Sequence, residues 1–304
     1  MPTDPVVLEA NGGPHGEARP LSVDAFRRAG LRHLVHLANH VRVLSLDDRA
    51  HVGSRDRVSS NAALLCSLLD ELDERLDELR MGTLIRTVLT GAAGSVLHYK
   101  VLPAKDIVAA LPDARVHKAD QAMAELTTAL RRDLGLDDQN PGGFVASADP
   151  VASDHPVAVH SFQTTALSPR STAIRDLASA VIDPSALQWV AYYAGEAVIF
   201  TVDCLDDPAL ADFHTSVTVE SRRDRLRALT REVPTIATRC NRIVGRLLEP
   251  VPLDRVTFDP EHGALYYRRL TPGSFLLGMT LRQERVAEAE TAMERLTAEV
   301  AALG

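Results

Sequence analysis

The sequence predicts an α+β fold made of two tandem α/β sandwich domains. Each is expected to be a five-stranded, mostly antiparallel sheet with flanking helices. Three observations predict it. The stretch GSVLHYKVLP at 94–103 returns as GALYYRRLTP at 263–272, with Gly94 on Gly263 and Pro103 on Pro272 at an offset of 169. After a one-residue insertion the offset becomes 170, and Val116, Ala119, Met123 and Leu126 fall on Val286, Ala289, Met293 and Leu296. Both copies also follow one order of hydrophobic patterns: helix, two strands, helix, three strands, helix. Lastly, 304 residues are enough for two domains that each bury a core. A repeat of this length has to be settled before any other feature of the architecture.

Taken in order, residues 1–20 are acidic and rich in Pro and Gly, and are expected to be a disordered tail. The first domain is expected over 21–134. Phe26, Leu31, Leu34, Val35 and Leu37 cluster at helical spacing and predict a helix over 22–40, capped by Ser22. A strand over 41–46, a turn at Asp47 and Asp48 and a hairpin partner at 50–54 follow. Leu65, Leu68, Leu72, Leu76 and Leu79 mark a long helix from about residue 59 to 80, which Gly82 ends. Strands over 83–89, 96–102 and 107–111 precede a helix over 114–134. Residues 135–169 hold four breaker clusters at Pro141, Pro150, Pro156 and Pro169, and read as a linker with one strand-like piece at 157–164. In the second domain, 170–304, a helix to 181 leads into a hairpin over 188–193 and 197–203, turned at Gly195. The next helix spans 220–248, with a kink or break expected at Pro234. Strands over 255–258, 265–270 and 275–281 and a final helix through Val286, Met293 and Val300 complete the copy.

The segment LRMGTLIRTVLTG at 79–91, the glycine-led GSVL at 94–97 and DIVAAL at 106–111 resemble the roadblock / dynein light chain family, including its MglB-like bacterial members. The likeness lies in a glycine after the long helix, an edge strand, a glycine-led strand and an apolar strand before the last helix. It covers nearly all of the first copy and the last 50 residues of the second. The resemblance implies a non-enzymatic scaffold or regulator that pairs with another copy of its own fold, within the chain or as a homo-oligomer. Its protein partner would be a Ras-like small GTPase. It implies no catalytic residue and no cofactor.

The net charge of −8 gives no global basic signal for nucleic acid. No apolar run is long enough for membrane insertion, and the N-terminus lacks the charged and apolar regions of a secretion signal, so a cytoplasmic protein is expected. Only three of the 33 basic residues are lysines, a bias that points to a GC-rich bacterial or archaeal genome. No P-loop, dinucleotide fingerprint, nucleophile elbow or HExxH motif occurs.

Four groups are candidates for chemistry. His33, His36 and His40 have helical spacing for a metal, but three histidines on a half-exposed helix read better as polar surface. Asp47–Asp48 and Asp206–Asp207 read as solvated turn formers rather than acid–base pairs. Cys66, Cys204 and Cys240 sit among apolar residues and read as reduced core thiols. The strongest signal is charge. Residues 60–80 carry six acids and two arginines, whereas 220–247 carry eight arginines and three acids. Opposite faces of this kind predict that the two long helices are neighbours. If not buried there, Arg222, Arg223, Arg227, Arg231, Arg239, Arg242 and Arg246 form the expected partner-binding surface. A small-molecule sensory module is the alternative, for which an enclosed apolar pocket would be the mark.

Overall fold

Short runs rich in β-branched and aromatic residues, broken by turn residues, fold as strands when one face can be covered. The computed structural model describes residues 5–9, 18–112, 116–145 and 156–303. It is a mixed α+β protein whose elements, in order, are β1 (Val6–Glu9), α1 (Ala18–Ala29), β2 (His33–Ala38), β3 (Val41–Asp47), α2 (Arg55–Glu78), β4 (Leu84–Gly91), β5 (Gly94–Leu102), β6 (Lys105–Leu111) and α3 (Val116–Asp133). The second copy comprises β7 (His160–Gln163), α4 (Pro169–Val181), β8 (Trp189–Ala194), β9 (Ala197–Asp203), α5 (Val219–Leu247), β10 (Leu253–Pro260), β11 (Ala264–Thr271), β12 (Ser274–Thr280) and α6 (Val286–Ala302).

The chain divides into two units, and each takes a short piece from the other half of the sequence. The first is Met1–Asp73, Leu84–Gly142 and Ala237–Leu253; the second is Glu74–Thr83, Gly143–Ile236 and Asp254–Gly304. Strand order is β1-β3-β2-β6-β5-β4 in the first and β10-β11-β12-β8-β9-β7 in the second. The pairings within each unit are antiparallel. The first core is built on Leu34, Leu44, Leu97, Ile107 and Met123. The second is built on Ile174, Val190, Phe200, Leu276 and Met293. Among the described residues no helix is long and apolar enough to cross a membrane.

Among the described residues each unit therefore has six strands rather than the five expected. In the first copy the helix expected over 22–40 stops at Ala29, and His33–Ala38 is a central strand. Gly30, at φ 65°, reverses the chain there, with Leu31 N donating to Phe26 O and Gly30 N to Arg27 O. That double bond pattern is a glycine-terminated helix end. β2 is paired on both sides and buried on both faces, so it shows an apolar run rather than alternation, which periodicity cannot distinguish from helix. The hairpin partner expected at 50–54 is a 3-10 turn, Arg49–Ser54. Within the expected tail, Val6–Glu9 pairs with β3 and α1 begins at Ala18; residues 1–4 and 10–17 lie outside the described set. In the second copy the sixth strand is β7, the strand-like piece of the linker, laid on β9. α5 is continuous with Pro234 inside it, so the break expected there does not occur.

The repeat is visible in the backbone. The hairpins β2–β3 and β8–β9 both turn on two residues of positive φ, Asn39 (49°) and His40 (61°) in one, Gly195 (58°) and Glu196 (73°) in the other. That signature matches the twist of the flanking strands. The aligned Gly94 and Gly263 take φ of 130° and 101°, and a Cβ would lie 2.2 Å from Leu111 O and 2.0 Å from Thr280 O. Only glycine lets β5 and β11 begin so close to the end of the next strand. Gly94→Ala and Gly263→Ala are each expected to cost about 2–4 kcal/mol in chemical denaturation, through strain and backbone collision. Gly273→Ala should cost less, about 1–2 kcal/mol, the left-handed backbone strain alone. Its Cβ would meet open space, and the first copy already carries Ala104, at φ 62°, in the aligned turn.

Candidate functional site

A buried charge has to be paired, so buried carboxylates show where helices are fastened to the sheets. Two such fastenings occur in both copies, with Asp47, Asp203 and Asp120 buried and Glu290 half-buried. Asp47, at the end of β3, accepts from Arg55 in the first turn of α2 and from His33 Nδ1 at 2.8 Å. Asp203, at the end of β9, accepts from Arg223 in the first turn of α5 at 2.6 and 3.1 Å. Both aspartates are fully buried. The next fastening ties the last helix of each copy. Asp120 on α3 accepts from Arg86 Nε at 2.9 Å and from Tyr99 Oη. Glu290, aligned with it on α6, accepts from Arg268 at 2.9 Å and from Thr257 at 2.8 Å.

These contacts correct the reading of the aspartate pairs as solvated. Asp47 is a buried anchor and Asp207 is buried as well, whereas Asp206, although it binds Arg223, is exposed to solvent as expected. Asp48 and Asp207 do act as turn formers, accepting from Ala50 N and Ala209 N. The three histidines do not share a helix face, because they lie on β2 and in the turn after it. His33 bonds Asp47, His36 bonds Ser22 at 2.9 Å and His40 bonds Asp70 at 3.0 Å.

The arginines of α5 have three different environments. Arg222 is buried and donates to Leu79 O at 2.7 Å and to Phe213 O at 2.8 Å. Arg225 donates to Glu78 O. Both thus satisfy the carbonyls that the end of α2 leaves unpaired. Burial, followed by the neighbouring Arg225, pulls Arg222 down to about 10. Burial also opposes the charge on Arg223, but Asp203 and Asp206 outweigh it and raise its pKa. Arg227 pairs with Asp224 and lies over the Phe162 ring. Arg239 meets Glu71 through two bonds, of 2.7 and 2.9 Å, in the first unit. The exposed remainder is Arg231 in the second unit and Arg242 and Arg246 in the first. None of these three makes an ion pair among the described residues.

Complementary helix faces therefore account for one contact of the expected sense, Glu71–Arg239. The Arg75–Glu232 pair has the opposite sense and is 3.9 Å long. Within the second unit residues 75, 78 and 79, at and just past the end of α2, meet α5 residues 232, 225 and 222, so the two segments run antiparallel. Side-chain donors to a helix end hold them, more than opposed charge. The cleft beside them, lined by Arg75, Glu78, Arg225, Leu229 and Glu232, is open and has a cavity volume of only about 30 Å³. That is below the usual ~300–1,000 Å³ of a ligand pocket.

A second polar group lies under α2 in the first unit. Lys100 on β5 donates to Asp70 at 2.9 Å and approaches Asp73 at 3.4 Å. Burial opposes its charge, but these carboxylates outweigh it and hold the ammonium above its ordinary range. Two residues earlier His98 Nε2 bonds Asp106 Oδ1 at 2.9 Å, and Cys66 stands against them from α2. All three cysteines are free and buried. Burial, then Asp106 and Asp70, push the Cys66 thiol well up, the reverse of what a nucleophile needs. Cys204 and Cys240 are each pushed up to about 12, burial again leading.

No protein-family model matches the chain, and no curated protein matches it. Two predictions follow from the geometry. Arg222→Ala should cost about 2–4 kcal/mol, because it strands two buried carbonyls, while Arg242→Ala should stay within about 0.5 kcal/mol; urea denaturation reads both. The second concerns His36, which is buried and, through desolvation, lowered from 6.5 to about 4. The unfolded chain takes up this proton first as pH falls, so the contribution is complete above 6.5 and lost between 6.5 and 4. The loss should approach about 3 kcal/mol, and His36→Asn should flatten that part of the stability–pH curve.

Proposed function

We propose that this chain is a non-enzymatic binding scaffold or regulator built from two roadblock-like domains. Its partner is a protein, and the partner class is a Ras-like small GTPase. The observation that carries the docking surface is the pair Arg242 and Arg246, one helical turn apart on α5 and exposed, in a chain whose net charge is −8. The other arginines on that helix, Arg231 apart, are committed to carbonyls, carboxylates or a ring within the fold. Two cations standing free on one face of a helix suit an acidic surface, and would act on the rate and register of docking more than on its depth. The partner class rests on the resemblance of residues 79–111. Such a protein works by holding one conformation of its partner, which requires unequal affinity for the two nucleotide states.

The test is a pull-down from lysate with the immobilised full chain, run with GDP and with a non-hydrolysable GTP analogue. A small GTPase should be recovered preferentially in one state. Arg242→Glu/Arg246→Glu should reduce recovery at least tenfold without changing the thermal midpoint. If neither nucleotide state yields a GTPase, the regulator reading fails.

A further inference from the structure

Lys100 and His98 lie two residues apart on β5, so both side chains point to the sheet face that α2 covers. Asp106 is the register partner of Lys100 on β6 and shares that face, diagonal to His98. Cys66 comes from α2. One ligand atom from each of Cys66, His98 and Asp106 lies within 4.8 Å of the others. The three residues are 1%, 1% and 2% exposed.

The group is poorly explained as ordinary core. With Nε2 engaged by Asp106, the Nδ1 of His98 is buried without a hydrogen-bond partner. Buried polar atoms of this kind are rare in native folds and call for a specific reason. Three carboxylates surround the ammonium of Lys100: Asp70, which is partly exposed and also bonds His40, Asp73, and Asp106, the register partner of Lys100. The second copy shows what the fold requires at this place. There the aligned positions are Tyr267 and Phe275, with ring centroids 5.1 Å apart, and Tyr193 stacks on Phe275 at 4.6 Å. An apolar aromatic cluster therefore suffices for packing, and the thiol, imidazole and carboxylate of the first copy are an addition to the shared design.

We propose that Cys66, His98 and Asp106 form a binding site for a divalent cation of the zinc class. Sulfur, nitrogen and oxygen donors together suit that borderline class, and a tetrahedral zinc site brings its donors to about 3.3–3.8 Å of one another. An inward shift of about 1 Å closes the triangle, a movement well within side-chain reach. On binding, the Sγ–H bond breaks, the Sγ–metal bond forms and the proton leaves to solvent. The Asp70 and His40 pair, 44% and 39% exposed, marks the polar route from the surface. A cation there would tie α2 to β5 and β6, so the site would govern how firmly the acidic helix is held.

The test uses full-length, reduced, chelator-treated protein titrated with Co²⁺ and then Zn²⁺. A cobalt–thiolate charge-transfer band should saturate at one equivalent per chain, and Zn²⁺ should abolish it. Cys204→Ser/Cys240→Ser leaves Cys66 as the sole thiol and should keep the band in full. Cys66→Ser should remove it, and His98→Ala should weaken binding at least tenfold. The double variant decides the matter even if Cys66→Ser fails to fold. Absence of a thiolate band in the wild-type protein, or its loss in the double variant, would overturn the proposal.

Discussion

The fold depends on carboxylates that sit in the sheets or against them and hold helices by charge. Asp47 and Asp203 fix the first turns of α2 and α5, and Asp120 and Glu290 fix α3 and α6. A buried ion pair adds little net stability over a well-packed apolar pair, but removing one partner leaves a charge that the interior cannot solvate. Its value here is register. Each pair permits one rotation of the helix about its axis, and the leucine seams can then fill the space beneath. Both copies keep a carboxylate at these places, although the arginine that meets the last helix comes from β4 in the first copy and from β11 in the second.

The copies diverge where the anchors do not reach. On the sheet face under the long helix, the second copy has stacked aromatics and the first has a thiol, an imidazole and carboxylates. Divergence on a shared scaffold is where specific function is gained, because packing constrains these positions least. The arginines of α5 show the same separation of roles. Arg222 and Arg225 complete the end of α2, Arg223 completes an anchor, and Arg242 and Arg246 are exposed, with no ion pair among the described residues.

Much of this was legible in the sequence. The leucine spacing of α2, the seam of α6 and the glycine-led strands gave two copies and an α+β class, since those signals are local. β2 was hidden because a strand buried on both faces has no alternation; Gly30, read as a helix end, would have exposed it. The anchors were hidden for a different reason. Asp47 beside Asp48 has the composition of a turn, and only the arrival of Arg55 and His33 makes it a core residue. The Cys66, His98 and Asp106 group depends on β5–β6 register and on which face α2 covers. Neither follows from spacings of 32 and 8 residues.

The most direct test of the account is the stability of Asp47→Asn and Asp203→Asn, measured by equilibrium chemical denaturation at pH 7. Each substitution keeps the size of the side chain and removes the charge that its arginine needs. The account predicts losses of similar size at the two sites, about 3–5 kcal/mol each. A loss below about 1 kcal/mol at either site would contradict the claim that both copies are pinned by the same buried anchor.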